Sequence, residues 1–347
     1  MKNYDLDKIA IATLGSHSAL NILRGAKDEG FKTVCICRKR ERIIYEAFNV
    51  ADEIIEIEDF PDLLKDKIQD KLIKLNSILI PHGSFNAYLN NLDVIKVPVF
   101  GNKTLMLWEV DRNKQDLWLK KAGLKTPKVY RSPEEIEKIA IIKLHGAKGG
   151  RGYFLAIGFD DFKKKLDEMK KLGLIQNDVK DYQIQEYIIG TNVYFSFFRS
   201  LILKRIELIA VDRRYESNVD GIGRIPADLQ LKLKITPTYT VTGNIPVVLR
   251  EKFLEKAFRA AERVVKVSEE IAKPGLVGPF CLECAFDENE EMYVFEISTR
   301  IVAGTNVGIP SSPYSYILFG ENMYMGRRIA REIKMGIEKG ELEKLIC

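Results

Sequence analysis

The sequence lacks any apolar run near the roughly 18 residues that a membrane-crossing helix needs. It also lacks low-complexity tracts, and the first residues, MKNYDLDKIAIATLG, do not combine a basic region with an apolar core and a cleavage site. These absences argue against a membrane protein and a secretory signal, so we expect a cytoplasmic protein. At 347 residues the chain is long enough for two or three globular domains.

The chain also lacks a concentrated basic stripe. Its net charge is +5, but Lys and Arg are interspersed with Asp and Glu throughout. A nucleic-acid groove would require clustered cations. The charge distribution therefore favours acidic small molecules as partners over nucleic acid.

The whole chain has only five cysteines, which is an odd number. Cys281 and Cys284 have the spacing of a metal-binding pair, but no second pair or histidine cluster completes four ligands. The segment around them also resembles a strand, on which positions i and i+3 point to opposite faces. We therefore expect reduced thiols that fill the core.

Residues 8 to about 100 alternate strand and helix patterns. The predicted strands are KIAIATLG, KTVCIC, NSILIPHGSF and VPVFGN, and SALNILRGAKDEGF is an amphipathic helix. Such alternation implies a parallel sheet with ligand-binding loops at the carboxyl ends of its strands. His17 and Ser84 follow two of these ends, and His17 also precedes a helix N-terminus, which favours phosphate.

The remaining chain predicts two further domains and a mixed α/β and α+β fold class. One helix is expected over 103–125, and then a short helix, two strands joined by a glycine-rich loop, another helix and a strand. Residues 192–248 indicate long strands, 250–272 a helix, FCLECAF and EMYVFEI a hairpin, and about 322–338 a final helix. The predicted domains are 1–102, 103–191 and 192–347.

A glycine-rich loop, HGAKGGRG at 145–152, joins two predicted strands. It lacks the GxxxxGK[ST] pattern and precedes a strand rather than a helix, so neither a P-loop nor a dinucleotide-binding turn is predicted. Its glycines would let the backbone approach a polyphosphate closely, and Lys148 and Arg151 would add counter-charge. Lys143, on the preceding strand, could also reach phosphate. A solvated hairpin tip is the alternative interpretation.

Two glutamates on the predicted hairpin indicate a metal site. With a four-residue turn at 287–290, Glu283 lies opposite Val294, and Glu296 lies diagonally from it on the same face, at a Cβ separation of roughly 7–8 Å. Glu283 is embedded in an apolar strand, where a carboxylate is costly without a partner. Mg²⁺ prefers a few carboxylates together with substrate phosphates. We therefore predict that Glu283 and Glu296 hold a divalent cation.

The order of these motifs resembles that of the ATP-grasp ligases. The matching elements are Asp111-Arg112 near a helix, the strand lysine Lys143, the glycine-rich flap, the hinge pair Glu186-Tyr187, and the E-x-x-x-R motif that joins Glu296 to Arg300. The resemblance implies a parallel-sheet N-terminal domain, a central flap domain and a C-terminal domain with the metal site. ATP would be held between the last two.

Further segments look like those of one family in this superfamily, the formate-dependent 5-formaminoimidazole-4-carboxamide ribonucleotide synthetases of archaeal purine biosynthesis. This resemblance covers nearly the whole chain and rests on SHSALNIL, PHGSF, GAKGGRGYF, DRRYESN, RIPA, TGNIP, GPFCLE and FEISTRIVAGTN. It implies a ligase that forms formyl phosphate from formate and ATP and transfers the formyl group to the amine of 5-aminoimidazole-4-carboxamide ribonucleotide. ADP and phosphate would be released, on the route to IMP.

The same resemblance assigns roles to individual residues. Glu283 and Glu296 would hold Mg²⁺ or Mn²⁺, and Lys143 and Arg300 would act on the transferred phosphoryl group. The ribonucleotide would be held by His17, Ser84 and Asn244. ATP would be held by Arg112, Lys143, Gly146, Lys148, Gly149, Gly150, Arg151, Gly152, Glu186, Tyr187 and Glu216.

Three positions differ from patterns common in the superfamily. Ser298 stands where E-x-N-x-R has asparagine, Ser196-Phe197 where a His-Tyr pair often follows the hinge, and Pro310-Ser311 where Asn-Gly commonly precedes Pro-Tyr. A related ligase with another small acid or amine, and a nucleotide-binding regulator without turnover, are therefore alternatives. The aromatic segment 193–198, VYFSFF, suits the core better than an interface, and a homo-oligomer is expected.

Overall fold

Three β-sheets follow one another along the chain. The computed structural model describes residues 4–89, 91–144, 153–171, 182–233, 235 and 237–347. One sheet is parallel and the other two are antiparallel, which confirms the mixed α/β and α+β class. Among the helices of these ranges, none has both the length and the apolar character needed to cross a bilayer.

The first sheet is parallel, as predicted, with strand order β3-β2-β1-β4. The central strand β1 is fully buried because helices cover the sheet. The elements are β1 (Ala10–Leu14), α1 (Ala19–Asp28), β2 (Lys32–Arg38), α2 (Arg42–Ala47), β3 (Glu53–Ile57), α3 (Asp66–Lys74), β4 (Ser77–Leu79) and α4 (Gly83–Tyr88). VPVFGN, predicted as a strand, makes only isolated bridges at Val99 and Phe100, because Pro98 has no N–H to donate.

Residues 103–121 form two helices where the sequence predicted one. The helices are α5 (Lys103–Val110) and α6 (Arg112–Lys121), and Asp111 separates them. The Asp111 carboxylate accepts hydrogen bonds from the backbone N–H groups of Asn113 and Lys114. It thereby caps a new helix at the point where the apolar pattern alone would continue the old one.

The second sheet is small and antiparallel, with order β5-β8-β6-β7. It carries one helix, whose Phe162 and Met169 pack on the sheet as the predicted stripe indicated. The elements are β5 (Val129–Tyr130), β6 (Ile139–Leu144), β7 (Tyr153–Ile157), α7 (Gly158–Lys171) and β8 (Tyr182–Glu186).

The third sheet has five antiparallel strands in the order β11-β10-β9-β12-β13. The prediction of strands alone over 192–248 missed two short helices, α8 and α9, between β10 and β11. The elements are β9 (Thr191–Ser200), β10 (Arg205–Asn218), α8 (Val219–Ile222), α9 (Ala227–Leu233), β11 (Tyr239–Pro246), α10 (Glu251–Ile271), β12 (Gly278–Phe286), β13 (Met292–Ser298), α11 (Pro313–Phe319) and α12 (Met325–Glu338).

The two faces of the third sheet differ in chemistry. One face packs on α6 and α10 through Val193, Phe195 and Phe197, so the aromatic segment is core as predicted. Cys284 lies on this face and Cys281 on the other, and both thiols are free, which confirms the interpretation of the cysteine pair. The opposite face carries the polar residues described in the next subsection.

The first and last long helices, α1 and α12, pack against each other at glycines. The Asn21 side chain accepts a hydrogen bond of 2.7 Å from the Gly326 N–H. A Cβ on Gly326 would lie 2.0 Å from the Asn21 carbonyl oxygen, and one on Gly25 would lie 2.1 Å from the Arg327 nitrogen. Helix α12 therefore fastens the C-terminal region to the parallel-sheet domain.

We expect Gly326→Ala to destabilise the protein by about 1–3 kcal/mol, because the added methyl group must push the two helix backbones apart. The free energy of unfolding, measured in urea, tests this. Gly221→Ala is the matched control, since nothing lies within 4 Å of a Cβ built there. Equal losses in the two variants would contradict the tight packing of α1 on α12.

Candidate active site

Glu283 and Glu296 face each other directly across β12 and β13. Residues opposite each other in an antiparallel pair project from the same face, with Cβ atoms about 4.5–5.5 Å apart. The expected common face is therefore confirmed. The expected diagonal placement is wrong, because Glu283 pairs with Glu296 and not with Val294.

Two local features shift the register of this hairpin. The connection spans five residues, 287–291, instead of four, and the Asp287 carboxylate accepts hydrogen bonds from the N–H groups of Asn289 and Glu291. The register also shifts between Glu283 and Cys284, so that Phe295 is an extra residue of β13. Each feature moves the pairing by one position, and together they convert a diagonal pair into a facing one.

The Glu283 carboxylate is buried, and only one of its two oxygens has a described partner that balances its negative charge. Its Oε1 accepts a hydrogen bond of 2.5 Å from Nη2 of Arg214, whereas its Oε2 has no partner among the described residues. Burial raises the pKa of Glu283 to about 7; Arg214 opposes this rise and Glu296 adds to it. A second cation at Oε2 would therefore favour the ionised carboxylate.

The carboxylate pair fits a divalent cation that is also held by phosphate. Across the described residues, no three His, Cys, Asp or Glu side chains converge as a complete metal cage. Two facing carboxylates, one with an unpartnered buried oxygen, instead match the way Mg²⁺ binds through one or two carboxylates plus substrate phosphates.

A cleft beside Glu296 lies between the second and third sheets. A cavity of about 360 Å³ and a smaller one of about 180 Å³ share Lys143, Tyr153, Gln185, Phe295 and Glu296 in their walls. The wall combines aromatic and apolar side chains with charged groups, as in small-molecule sites.

Lys143 projects from β6 toward the carboxylate pair. Burial lowers the pKa of its ammonium, Glu296 opposes this change, and Arg112 adds to it. Its Nζ lies 6.0 Å from the ring centroid of Phe295. Arg112 donates a hydrogen bond to the Lys143 carbonyl oxygen at 3.4 Å, so both cations stand at the smaller cavity.

The other described residues that were predicted to bind ATP line the larger cavity. Glu186 ends β8, Tyr187 follows it, and Glu216 comes from β10 on the opposite side. Burial raises the pKa of Glu216. The predicted loop residues Gly146, Lys148, Gly149, Gly150, Arg151 and Gly152 lie outside the described residues.

Arg300 lies just beyond β13, between the two predicted ligand regions. It forms an ion pair of 2.9 Å with Glu109, whose other oxygen accepts the Thr299 N–H, and its own Nε has no partner among the described residues. The charge of Arg300 lowers the pKa of both Glu283 and His17. The positive charge of Arg300 therefore influences the pKa values of both Glu283 and His17, although Arg300 lines neither of the two cavities described above.

His17 and Ser84 come together at the carboxyl ends of β1 and β4, which are neighbours in the parallel sheet. The rings of His17 and His82 stack at 5.3 Å, and the hydroxyls of Ser16 and Ser84 are 2.7 Å apart. Desolvation, followed by the charges of His82, Arg300 and Arg214, lowers the pKa of His17 well below its ordinary value. This shift favours the neutral form of the His17 imidazole.

His82 is a buried histidine with both ring nitrogens engaged. Its Nε2–H donates to the Leu14 carbonyl oxygen at 2.8 Å, and its Nδ1 accepts the Ser84 N–H at 3.2 Å. Burial lowers the pKa of His82 to about 4. The ring thus fixes the backbone of Ser84 and supports the ring of His17.

Asn244 comes from the far edge of the third sheet. It pairs in register with Arg214, and its Nδ2 donates to Oδ2 of Asp212 at 2.8 Å. Arg214 is close enough for its charge to lower the pKa of His17. Arg214 therefore connects the surroundings of Asn244 with those of His17 and Glu283.

Several residues of this face were not singled out from the sequence. Tyr194 lies between Asp212 and Glu283 in one row across the sheet, and the guanidinium of Arg214 stacks on its ring at 4.1 Å. The signal was the alternation of Asp212, Arg214 and Glu216 after an apolar run, which places all three on one face. Glu109 carried no such signal, because its role depends on a contact with Arg300 far along the chain.

Two solved structures align with this chain over most of its length. N5-carboxyaminoimidazole synthetase from Staphylococcus aureus, solved with ADP, aligns with a TM-score of 0.62 at 15% identity, over 87% of this chain and 73% of that one. An IMP biosynthesis protein PurP from Thermococcus kodakaraensis aligns with a TM-score of 0.77 at 29% identity, over 97% of this chain and all of that one. The fold is the ATP-grasp fold, and the chain is an ATP-dependent ligase of that class.

Sequence relatives identify the family within that class. Proteins named "5-formaminoimidazole-4-carboxamide-1-(beta)-D-ribofuranosyl 5'-monophosphate synthetase" are 61% identical in Archaeoglobus fulgidus and 46% identical in Methanocaldococcus jannaschii. They match 100% and 99% of this chain and 97% and 96% of their own lengths. Family models described as a domain of unknown function (DUF1297) and a protein of unknown function (DUF1246) match residues 161–347 and 11–130. The chain belongs to this family of archaeal purine-biosynthesis synthetases.

We expect His82→Gln to weaken the dependence of stability on pH. Between pH 6.5 and about 4 the unfolded chain takes up a proton at His82 that the folded protein does not, so the free energy of unfolding falls as the pH falls. The two pKa values correspond to about 3 kcal/mol. Urea unfolding of both proteins across this pH range measures the difference. The two curves should run parallel above pH 6.5, and equal slopes below it would contradict the neutral buried imidazole.

Proposed function

We propose that the protein joins formate to 5-aminoimidazole-4-carboxamide ribonucleotide at the expense of ATP. The products are 5-formaminoimidazole-4-carboxamide ribonucleotide, ADP and phosphate, on the route to IMP. The full-length identity of 61% to a synthetase named for this product supports the proposal. The observation that carries it is the facing pair Glu283 and Glu296 beside a cleft that Lys143 enters.

ATP is proposed to bind in the cleft between the second and third sheets. Glu186, Tyr187 and Glu216 line its larger cavity, and Arg112 and Lys143 stand where the phosphates would approach Glu296. The assignment of the glycine-loop residues to ATP rests on the sequence resemblance alone. Glu283 and Glu296 would hold Mg²⁺ or Mn²⁺, which would supply Lewis-acid neutralisation of phosphate charge.

In the first step a formate oxygen attacks the γ-phosphorus of ATP, and ADP leaves. Lys143, with Arg300 nearby, would stabilise the charge that develops on the phosphoryl oxygens. The formyl phosphate that results must be kept from water, because it would otherwise hydrolyse. The chemistry needs no nucleophilic side chain from the protein.

In the second step the amine of the ribonucleotide attacks the formyl carbon, and phosphate leaves. His17, Ser84 and Asn244 are proposed to hold the ribonucleotide, because two of them meet at the carboxyl edge of the parallel sheet and the third lies across Arg214 from them. The N-terminus of α1 begins at Ala19, directly after His17 and Ser18, and suits the 5′-phosphate.

The location and assembly of the protein are also proposals. A reaction between ATP and a phosphorylated nucleotide takes place where both are made, which supports the cytoplasm. The homo-oligomer remains a prediction from the sequence.

Sustained release of ADP by the purified protein should require both formate and the ribonucleotide, because the ribonucleotide must remove the formyl group before the next cycle. Each substrate omitted in turn serves as a control, and ADP is measured by a coupled assay. A rate that does not respond to formate would contradict the choice of acid, and acetate in place of formate tests that choice directly.

Glu296→Gln should lower kcat by about 100-fold or more, because one of the two carboxylates no longer neutralises the metal–phosphate complex. Nucleotide binding, followed by calorimetry, should remain measurable. Glu291→Gln is the matched control, since Glu291 is an exposed acid of the same hairpin that pairs with Lys125. Full activity in Glu296→Gln would contradict the role of Glu296 in metal binding.

A further inference from the structure

Arg214 is a cation of the larger cavity to which the roles above assign no substrate. Its side chain is 31% exposed and lines that cavity. A guanidinium has five N–H donors, and the described residues engage one of them, in the hydrogen bond from Nη2 to Oε1 of Glu283. The ring of Tyr194 stacks on the flat face of the guanidinium and not on its N–H edge. Donors of Arg214 are therefore available to a ligand that enters the cavity.

Arg214 lies between the two regions where chemistry is proposed. On one side it is hydrogen-bonded to Glu283, a proposed metal ligand. On the other side it lies directly opposite Asn244 of β11, and residues opposite each other in an antiparallel pair project from the same face. Its charge also lowers the pKa of His17. One guanidinium is thus close both to the proposed metal site and to the proposed ribonucleotide site.

The proposed reaction requires the small acid at such a position. A formate oxygen is first joined to the γ-phosphoryl group, and the carbon that bears this oxygen is then attacked by the amine. Because the same carbon takes part in both steps, formate must lie within reach of the phosphates and of the ribonucleotide at once.

The other described cations of this region suit formate less well. Arg213 alternates with Arg214 along β10, so it projects from the other face, and it pairs with Asp220 at 3.6 Å. Lys143 enters from the second sheet beside the smaller cavity, and its single ammonium group suits phosphate. Arg300 is paired with Glu109 and lines neither cavity. Arg214 is therefore the best-placed carboxylate-binding group.

We propose that Arg214 binds the carboxylate of formate and holds it for attack on ATP. This inference rests on the proposed function. A guanidinium and a carboxylate are both planar and can form two parallel N–H···O hydrogen bonds. One formate oxygen forms a bond to the γ-phosphorus as the bond between that phosphorus and ADP breaks, and ADP leaves with the electron pair. The second oxygen, which becomes the carbonyl oxygen of formyl phosphate, stays at Arg214.

The guanidinium is held in position before the acid arrives. The hydrogen bond to Glu283 and the stacking on Tyr194 fix it from two directions. A side chain that is already fixed loses little conformational entropy when a ligand binds. The unpartnered Oε2 of Glu283 is free for the metal, whereas Oε1 can keep its hydrogen bond to Arg214. One carboxylate would therefore set the position of the acid relative to that of the metal.

The test is Arg214→Lys, which keeps a positive charge beside Glu283 but removes the planar pair of donors. The KM for formate should rise by about 10- to 100-fold, because charge-assisted hydrogen bonds to the acid are lost. It is measured from ADP release at saturating ATP and ribonucleotide. The dissociation constants of Mg·ADP and of the ribonucleotide, measured by calorimetry, should stay close to those of the wild type. These two measurements also show that the variant is folded.

Arg259→Lys is the matched control. Arg259 is an exposed arginine of α10 that pairs with Glu255 and lines neither cavity. The same substitution there should leave the KM for formate and both dissociation constants unchanged.

A rise confined to the KM for formate supports the role of Arg214. An unchanged KM for formate in Arg214→Lys, or a loss of Mg·ADP or ribonucleotide binding as large as the loss for formate, would overturn it. A wild-type protein that releases ADP with acetate or bicarbonate but not with formate would overturn the proposed function instead. The KM of Arg214→Lys for that acid would then test Arg214 in the same way. A wild-type protein without any acid-dependent ADP release would overturn both.

Discussion

Two like charges at facing positions of neighbouring strands dominate the electrostatics of this protein. Glu283 and Glu296 could not remain ionised side by side in a half-buried site without cations. Arg214 supplies one of them from the same sheet, and Lys143 approaches from the other sheet. The negative charge that remains unbalanced lies at Oε2 of Glu283. A metal–nucleotide complex would balance it. Binding of a cation in the cleft would therefore be favourable, because it would relieve the repulsion between the two carboxylates that the fold already contains.

The position of these charges depends on the irregular features of one hairpin. A five-residue connection and the extra residue Phe295 bring Glu296 opposite Glu283. Alternation along each strand was sufficient to predict that both acids share a face. It could not give the pairing, because the pairing depends on loop length and on a bulge that changes no residue type in the pattern. The same limit applies to Asp111, whose capping side chain divides a helix that its apolar neighbours would have continued.

The sheet types and the polar carboxyl edge of the parallel sheet could be predicted from local patterns and from the family resemblance. His17, Ser84, Glu186 and Glu216 are all found at cavities or strand ends, as expected. Arg214, Tyr194 and Asp212 required the register of three strands, and Glu109 required a contact across 191 residues of chain. Each depends on contacts distant in sequence, which a single sequence does not reveal.

The mutual packing of α1 and α12 has a consequence for turnover. The parallel-sheet domain and the five-stranded sheet are fastened together through backbone contacts at Gly25 and Gly326. The small sheet that carries Lys143 packs chiefly on its own helix and strands. Exchange of ADP for a new nucleotide should therefore proceed by hinged displacement of that small sheet. Under the proposed function, the surface that would bind the ribonucleotide belongs to the fastened part, so it should keep its shape while the small sheet moves.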